Sequence, residues 1–227
     1  MNTNSNSYTI IYASVMVVIV AFLLAFVSSS LKDMQDKNVK EDTKKQILAA
    51  LNVTGVESAE AEFERLEVKD MLLDVATGEL SEFPAKDFAT AYDREVKEYG
   101  RLHVFVANVD GQKKYVLPVY GAGLWGALWG YVALNADKNT IFGVYFSHAS
   151  ETPGLGAEIA SDWFQKQFIG KNTLKNGSVA LSVVKNGRVA DASIEVDGVS
   201  GGTITSQGVN AMLKNCLQNY VSFLTKE

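Results

Sequence analysis

One cysteine, three prolines and two histidines occur in 227 residues, and each scarcity removes a class of chemistry. A lone Cys216 closes no internal disulfide and leaves the redox compartment undecided. Together with His103 and His148 it cannot complete a zinc or iron–sulfur ligand set. Neither histidine sits in a nucleophile motif and no serine lies in G-x-S-x-G, which disfavours a plain hydrolase. Basic residues are also short, 21 Lys and Arg against 26 Asp and Glu, for a net charge of −5. With no basic cluster to neutralise a phosphate backbone, no nucleic-acid partner is expected.

Charge is absent altogether from residues 9–27, TIIYASVMVVIVAFLLAFV. At about 1.5 Å rise per residue that run matches a bilayer's hydrocarbon thickness, and Tyr8 and Tyr12 lie where interfacial aromatics sit. A transmembrane helix over residues 9–30 is predicted, after a short tail of residues 1–8. A cleaved leader fits less well, because no Lys or Arg precedes the run and no A-x-A site follows it. Lys32, Lys37, Lys40, Lys44 and Lys45 follow the helix, so the positive-inside bias by itself would place the rest of the chain in the cytoplasm. Residues 31–55 read as a stalk or linker helix, with a break at 52–55. One globular domain over residues 56–227 is the remaining expectation, and 47% hydrophobic residues are enough to give it a core.

Within that domain residues 59–73 are a candidate helix, residues 74–87 carry turn signals at Gly78 and Pro84, and residues 86–99 are a candidate short helix. From Arg101 the apolar period changes to two. Residues 102–108 and 113–120 are predicted strands joined at Asp110-Gly111, residues 131–135 and 140–147 a second pair, and residues 179–185 and 188–195 a third, turning at Asn186-Gly187. A helix is expected over residues 157–168. The resulting fold class is α+β: an antiparallel sheet with packed helices.

Three stretches carry possible chemistry. Residues 121–130, GAGLWGALWG, permit close backbone approach while Leu124, Trp125 and Trp129 offer flat apolar surface; they read equally as a bulge in the sheet core. Residues 151–156, ETPGLG, supply amides and the Thr152 hydroxyl, or simply a proline–glycine turn into a helix. Residues 197–209, DGVSGGTITSQGV, run a glycine- and hydroxyl-rich turn into a helical pattern with apolar positions at Met212, Leu213, Cys216, Tyr220, Phe223 and Leu224. Unpaired amides and the positive end of the helix dipole make such a junction suited to a phosphate, although a plain N-capped terminal helix has the same sequence signs. Cys216 on the apolar face reads as a buried structural thiol.

Taken together, the single N-terminal membrane helix, GxGLW at Gly121 to Trp125, ETPGLG at Glu151 to Gly156 and SGxTxT at Ser200 to Thr205 resemble the C subunit of the bacterial sodium-translocating NADH:quinone reductase. The resemblance covers nearly the whole chain. It implies an FMN-binding domain with FMN attached through its phosphate to Thr205 as a phosphoester. Ser200, Gly201, Gly202 and Thr203 would complete the recognition loop, with Gly202 standing where the family usually has alanine. By the same resemblance Leu124 and Trp125 would wall the ring, Glu151 and Thr152 reach its polar edge, Leu155 and Gly156 close beside it, and Lys185 and Asp197 approach the phosphate and ribityl region. The implied activity is electron transfer without acid–base catalysis, as one subunit of an oxidoreductase and not an enzyme alone.

Implied partners are the other subunits of a membrane respiratory complex, a flavin transferase and membrane lipid. The implied location is the bacterial inner membrane, single-pass, with the domain on the periplasmic side, against the lysine count. No metal or sodium site is expected in the chain, since one uncharged membrane helix offers no ion path. The G subunit of the Rnf complex shares the same modules, and the long segment before GxGLW favours the quinone reductase. A membrane-anchored module holding a planar ligand non-covalently is the alternative of another class.

Overall fold

Alternating apolar residues give the sheet two buried faces, and each face recruits its own helices. The computed structural model describes residues 5–82 and 101–226. Six strands, β1 (Lys69–Asp74), β2 (Leu80–Glu82), β3 (Arg101–Val109), β4 (Gln112–Ala122), β5 (Ala127–Leu134) and β6 (Ile141–His148), form an antiparallel sheet in the order β2-β1-β3-β4-β5-β6. Consecutive residues point to opposite faces. Val104, Leu117 and Val132 therefore enter one cluster, while Phe105, Val116 and Ala133 enter the other. The expected α+β architecture is the one observed.

Helix α1 (Asn6–Ala50) is continuous, so the stalk is an extension of the apolar helix. Two compact units divide within it, Met1–Asp42 and Thr43–Glu227. In the first, side chains such as Ile10, Val17, Phe22 and Leu24 are exposed, and an 18-residue window reaches a mean hydropathy of 2.9. That is long and apolar enough to cross a bilayer. In the second, Ile47, Leu48 and Leu51 pack with Phe63 and Leu66 from the short helix α2 (Ala59–Arg65) and its end. Gln46 Oε1 accepts the Trp129 indole N–H at 3.2 Å, tying this layer to β5.

The opposite face is covered by the last helix, Thr203–Leu224, and by the segment after β6. The latter is a 3-10 turn (Gly156–Ala160) that buries Ile159 and a short helix α3 (Asp162–Lys166) that buries Phe164, followed by the buried Phe168. We label Thr203–Leu224 α4; it buries Val209, Met212, Leu213, Cys216, Leu217, Tyr220, Phe223 and Leu224 against the sheet. Burial of large apolar side chains contributes roughly 1.5–3 kcal/mol each. The Tyr220 hydroxyl, fully buried, donates toward the carbonyls of His103 and Pro118 at 3.1 and 3.2 Å. Cys216 Sγ lies 3.3 Å from the Tyr120 carbonyl it faces, a structural thiol as the apolar pattern implies. The start of α4 is thus held in place by its whole length.

Four expectations are corrected. Residues 59–73 divide into α2 and strand β1, because Leu66 ends the helix and residues 69–74 pair with β3. Residues 127–130 belong to β5 and pair with residues 119–122, so the glycine-rich loop shrinks to 123–126. The helix over 157–168 is broken at Ser161, whose backbone is extended at φ −76° and ψ 149°. Residues 179–185 and 188–195 do not form a hairpin. A small antiparallel pair, β7 (Leu174–Lys175) and β8 (Ser178–Val179), comes first, and then β9 (Ser182–Val184) pairs in parallel with β10 (Glu195–Asp197). Side-chain carboxylates take the amides that a hairpin would have paired. Glu195 accepts from Ala190 and Asp191, and Asp191 accepts from Ser193. The candidate helix at 86–99 lies outside the described residues.

Candidate functional site

The three motif segments converge at the N-terminus of α4. Gly201 at φ +77° lets the chain turn, and Gly202 serves as N-cap with no side-chain cap hydrogen bond. Ser206 locks the turn from inside: its hydroxyl accepts the Val199 amide at 2.9 Å and donates to the Gly202 carbonyl at 2.8 Å. The first turn of α4 holds no acidic residue. Its leading amides and dipole are therefore available to an anion.

Thr205 faces inward from this turn and is 2% exposed. Its hydroxyl donates to Glu151 Oε2 at 2.5 Å, and the other carboxylate oxygen accepts the Trp125 amide at 2.8 Å. Glu151 is 4% exposed and its own amide donates to His148 Nδ1 at 3.2 Å. Burial pushes the Glu151 carboxyl up, but hydrogen bonds from Thr205 and from the Trp125 and Leu124 amides, with His148 nearby, outweigh it and hold the group below its ordinary value. Glu151 is an anion at neutral pH.

Missing side chains make this packing possible. A Cβ on Gly156 would stand 2.3 Å from Thr205 Oγ1 and 2.6 Å from Glu151 Oε2, and one on Gly123 would stand 2.4 Å from Glu151 Oε1. Leu155 lies over the turn, with Cδ2 at 2.8 Å from where a Gly201 Cβ would be. A methyl on Gly202 would meet Val199 Cβ at 3.1 Å and the Leu155 carbonyl carbon at 3.2 Å, a tight fit. Around this centre Leu124, Trp125, Leu155 and Ile204 are exposed, Trp125 by 67%. Large apolar side chains left in solvent beside a buried polar centre are the surface a planar ring would cover.

The sequence-derived residues therefore fall into separate groups. Leu124, Trp125, Glu151, Leu155, Gly156, Gly201, Gly202 and Thr205 are brought together. Lys185, Ser200, Gly201 and Thr203 line a neighbouring cavity of about 230 Å³, with Asn186, Ser206 and Gln207. Thr205 is not among its lining residues. Asp197 Oδ1 accepts the Gly187 amide at 2.7 Å, across the Asn186-Gly187 turn. Thr152 is exposed, and its carbonyl accepts the Leu155 and Ala157 amides. Glu151, expected at a ring edge, has its two oxygens on Thr205 and Trp125. Ser206 and His148 were not among the expected residues; a serine one residue past the motif and a histidine at a strand end carry no local signal for these contacts.

Residues 123–218 match the FMN-binding domain family. The chain is 34% identical to the C subunit of the Na(+)-translocating NADH-quinone reductase of Haemophilus ducreyi, covering 94% of this chain and 90% of that protein. It is 29% identical to the protein of the same name from Neisseria meningitidis serogroup A, covering 98% and 95%. A crystal structure of the C subunit from Parabacteroides distasonis superposes with a TM-score of 0.78 at 46% identity, covering 87% of this chain and 98% of that one. The family match begins within the 121–130 stretch and takes in residues 151–156 and 200–205. The chain belongs to the family of C subunits of the sodium-translocating NADH:quinone reductases.

Proposed function

We propose that this chain carries FMN as a phosphoester on Thr205 and serves as an electron-transfer subunit of a sodium-translocating NADH:quinone oxidoreductase. The observation that carries the reading is the Thr205 hydroxyl, held by Glu151 at the start of α4 within a matched FMN-binding domain. The surroundings fit such a group. Open amides and the helix dipole favour the phosphodiester charge, and Leu124, Trp125 and Leu155 present apolar surface to a ring. Bound FMN supplies one- or two-electron transfer; the protein's part is to orient the ring, exclude water from one side and set the nearby charge. Lys185, in the adjoining cavity with Ser200 and Thr203, would add positive charge beside the turn.

The other subunits of the respiratory complex are the partners, with the apolar part of α1 as membrane anchor. A flavin transferase, membrane lipid, the bacterial inner membrane and a periplasmic domain complete the proposal. One experiment reads these points together. Full-length chain is co-expressed with a flavin transferase, spheroplasts are treated with external protease, and a denaturing gel is viewed for flavin fluorescence. A membrane-bound fluorescent band that protease shortens is expected. Loss of flavin on denaturation would leave a non-covalent module, and a fluorescent band shielded from protease would overturn the orientation.

A further inference from the structure

Two threonines stand in the first turn of α4, and exposure alone selects the wrong one. Thr203 is exposed and Thr205 is buried. What distinguishes Thr205 is its partner, a carboxylate oxygen 2.5 Å from its hydroxyl. An alcohol is a poor nucleophile until its proton has somewhere to go, and a carboxylate facing a substrate hydroxyl is how protein kinases meet that need. Resting on the reading that Thr205 bears the flavin, we propose that Glu151 is the proton acceptor for that attachment, so that the acceptor protein brings its own general base to the transferase.

The step balances with a flavin-bearing phosphoanhydride as donor. Thr205 Oγ1 forms a bond to the flavin-side phosphorus, and the anhydride P–O bond breaks. The leaving phosphate departs with the bridging oxygen, and the hydroxyl proton passes to Glu151 Oε2. No atom is oxidised or reduced.

The anchoring of Glu151 suits this role. Its carboxylate is tied to the Trp125 amide, in the turn that joins β4 to β5, and its amide to His148, the last residue of β6. The hydrogen bonds of Leu155 and Ala157 run back to Thr152 within their own segment, and Leu155 meets Gly201 and Gly202 by packing alone. Residues 152–156 can therefore lift from Thr205 to admit the phosphorus while Glu151 stays on the hydroxyl. Gly154, at φ +74° with open space around it, lies in the middle of that segment. Opposite Glu151, the turn at 123–126 and the first turn of α4 bring no charged side chain, and Glu158 bonds the Trp163 indole. His148 is the titratable side chain in contact with Glu151 among the described residues.

The test is the initial rate of covalent flavin attachment to the purified full-length chain, using a flavin transferase and a flavin phosphoanhydride donor. Glu151→Gln keeps the length and an acceptor oxygen but takes no proton. Glu151→Asp keeps the carboxylate one methylene further back. A proton acceptor predicts turnover in the order wild type, Asp, Gln, with Gln lower by on the order of a hundredfold and half-saturation by the chain unchanged. Glutamine equal to or better than aspartate, a glutamine loss under tenfold, or a loss confined to half-saturation would overturn the proposal. Thermal unfolding checks that each variant folds. Should glutamine prevent folding, Glu151→Ala with added formate carries the same decision: restored attachment supports the role and no restoration overturns it. A wild-type chain that takes no flavin would instead defeat the attachment reading itself.

Discussion

Thr205→Val is expected to give a folded chain that retains no flavin after denaturation, while Thr205→Ser retains it. Valine matches threonine in shape and removes the one atom through which a phosphoester forms. The substitution also strips Glu151 Oε2 of its hydroxyl donor, leaving Oε1 on the Trp125 amide. Leaving a buried acceptor unsatisfied costs about 1–3 kcal/mol, toward the upper end for a charged group. Against a typical total of about 5–15 kcal/mol the domain stays folded. Absence of flavin would therefore report the lost hydroxyl and not lost structure, which a thermal melt of both variants checks. Fluorescence on the denatured valine variant would sink the assignment.

Gly208→Ala is expected to destabilise the domain although it sits inside a helix. Intrinsic propensity alone would reward alanine by about 1 kcal/mol. Here the added Cβ would stand 2.5 Å from the Ala122 carbonyl oxygen and 3.2 Å from Leu128 Cδ1. The first of these is backbone in β4 and cannot swing aside. Overpacking of this kind costs about 1–3 kcal/mol, occasionally more, so after the propensity gain the expected net is a loss of up to about 2 kcal/mol of stability by urea titration. The strain is delivered to the 123–126 turn, whose Trp125 amide holds Glu151. Slower flavin attachment should accompany the lower midpoint; a stabilised variant would show that α4 does not press on this turn as described.

How much of this was legible in the sequence depended on how locally each feature is determined. The turn between β3 and β4 was legible because Asp110 and Gly111 both take positive φ, a conformation their side chains select. The α4 face was legible from its spacing. The region from Ser182 to Asp197 was not, since its fold rests on carboxylates of Asp191 and Glu195 capping amides, a competition that apolar periodicity does not register. The break at Ser161 was hidden in the same way, behind a pattern that satisfies a helix. In the site, each motif was visible as a segment. Their junction was not, because Glu151 and Thr205 are 54 residues apart and meet only through the docking of α4 on the sheet. Asp197 next to the motif was legible as a position, but its hydrogen bond to the Gly187 amide, ten residues back, was not.

The most direct test of the central claim is peptide mass spectrometry of the full-length chain co-expressed with a flavin transferase. Proteolysis and fragmentation would locate any adduct among the hydroxyls of Ser200, Thr203, Thr205 and Ser206. One FMN, less one water, is predicted on Thr205, with Thr203 unmodified despite its exposure. An adduct on Thr203, or an unmodified peptide from a chain that nevertheless binds flavin, would contradict it.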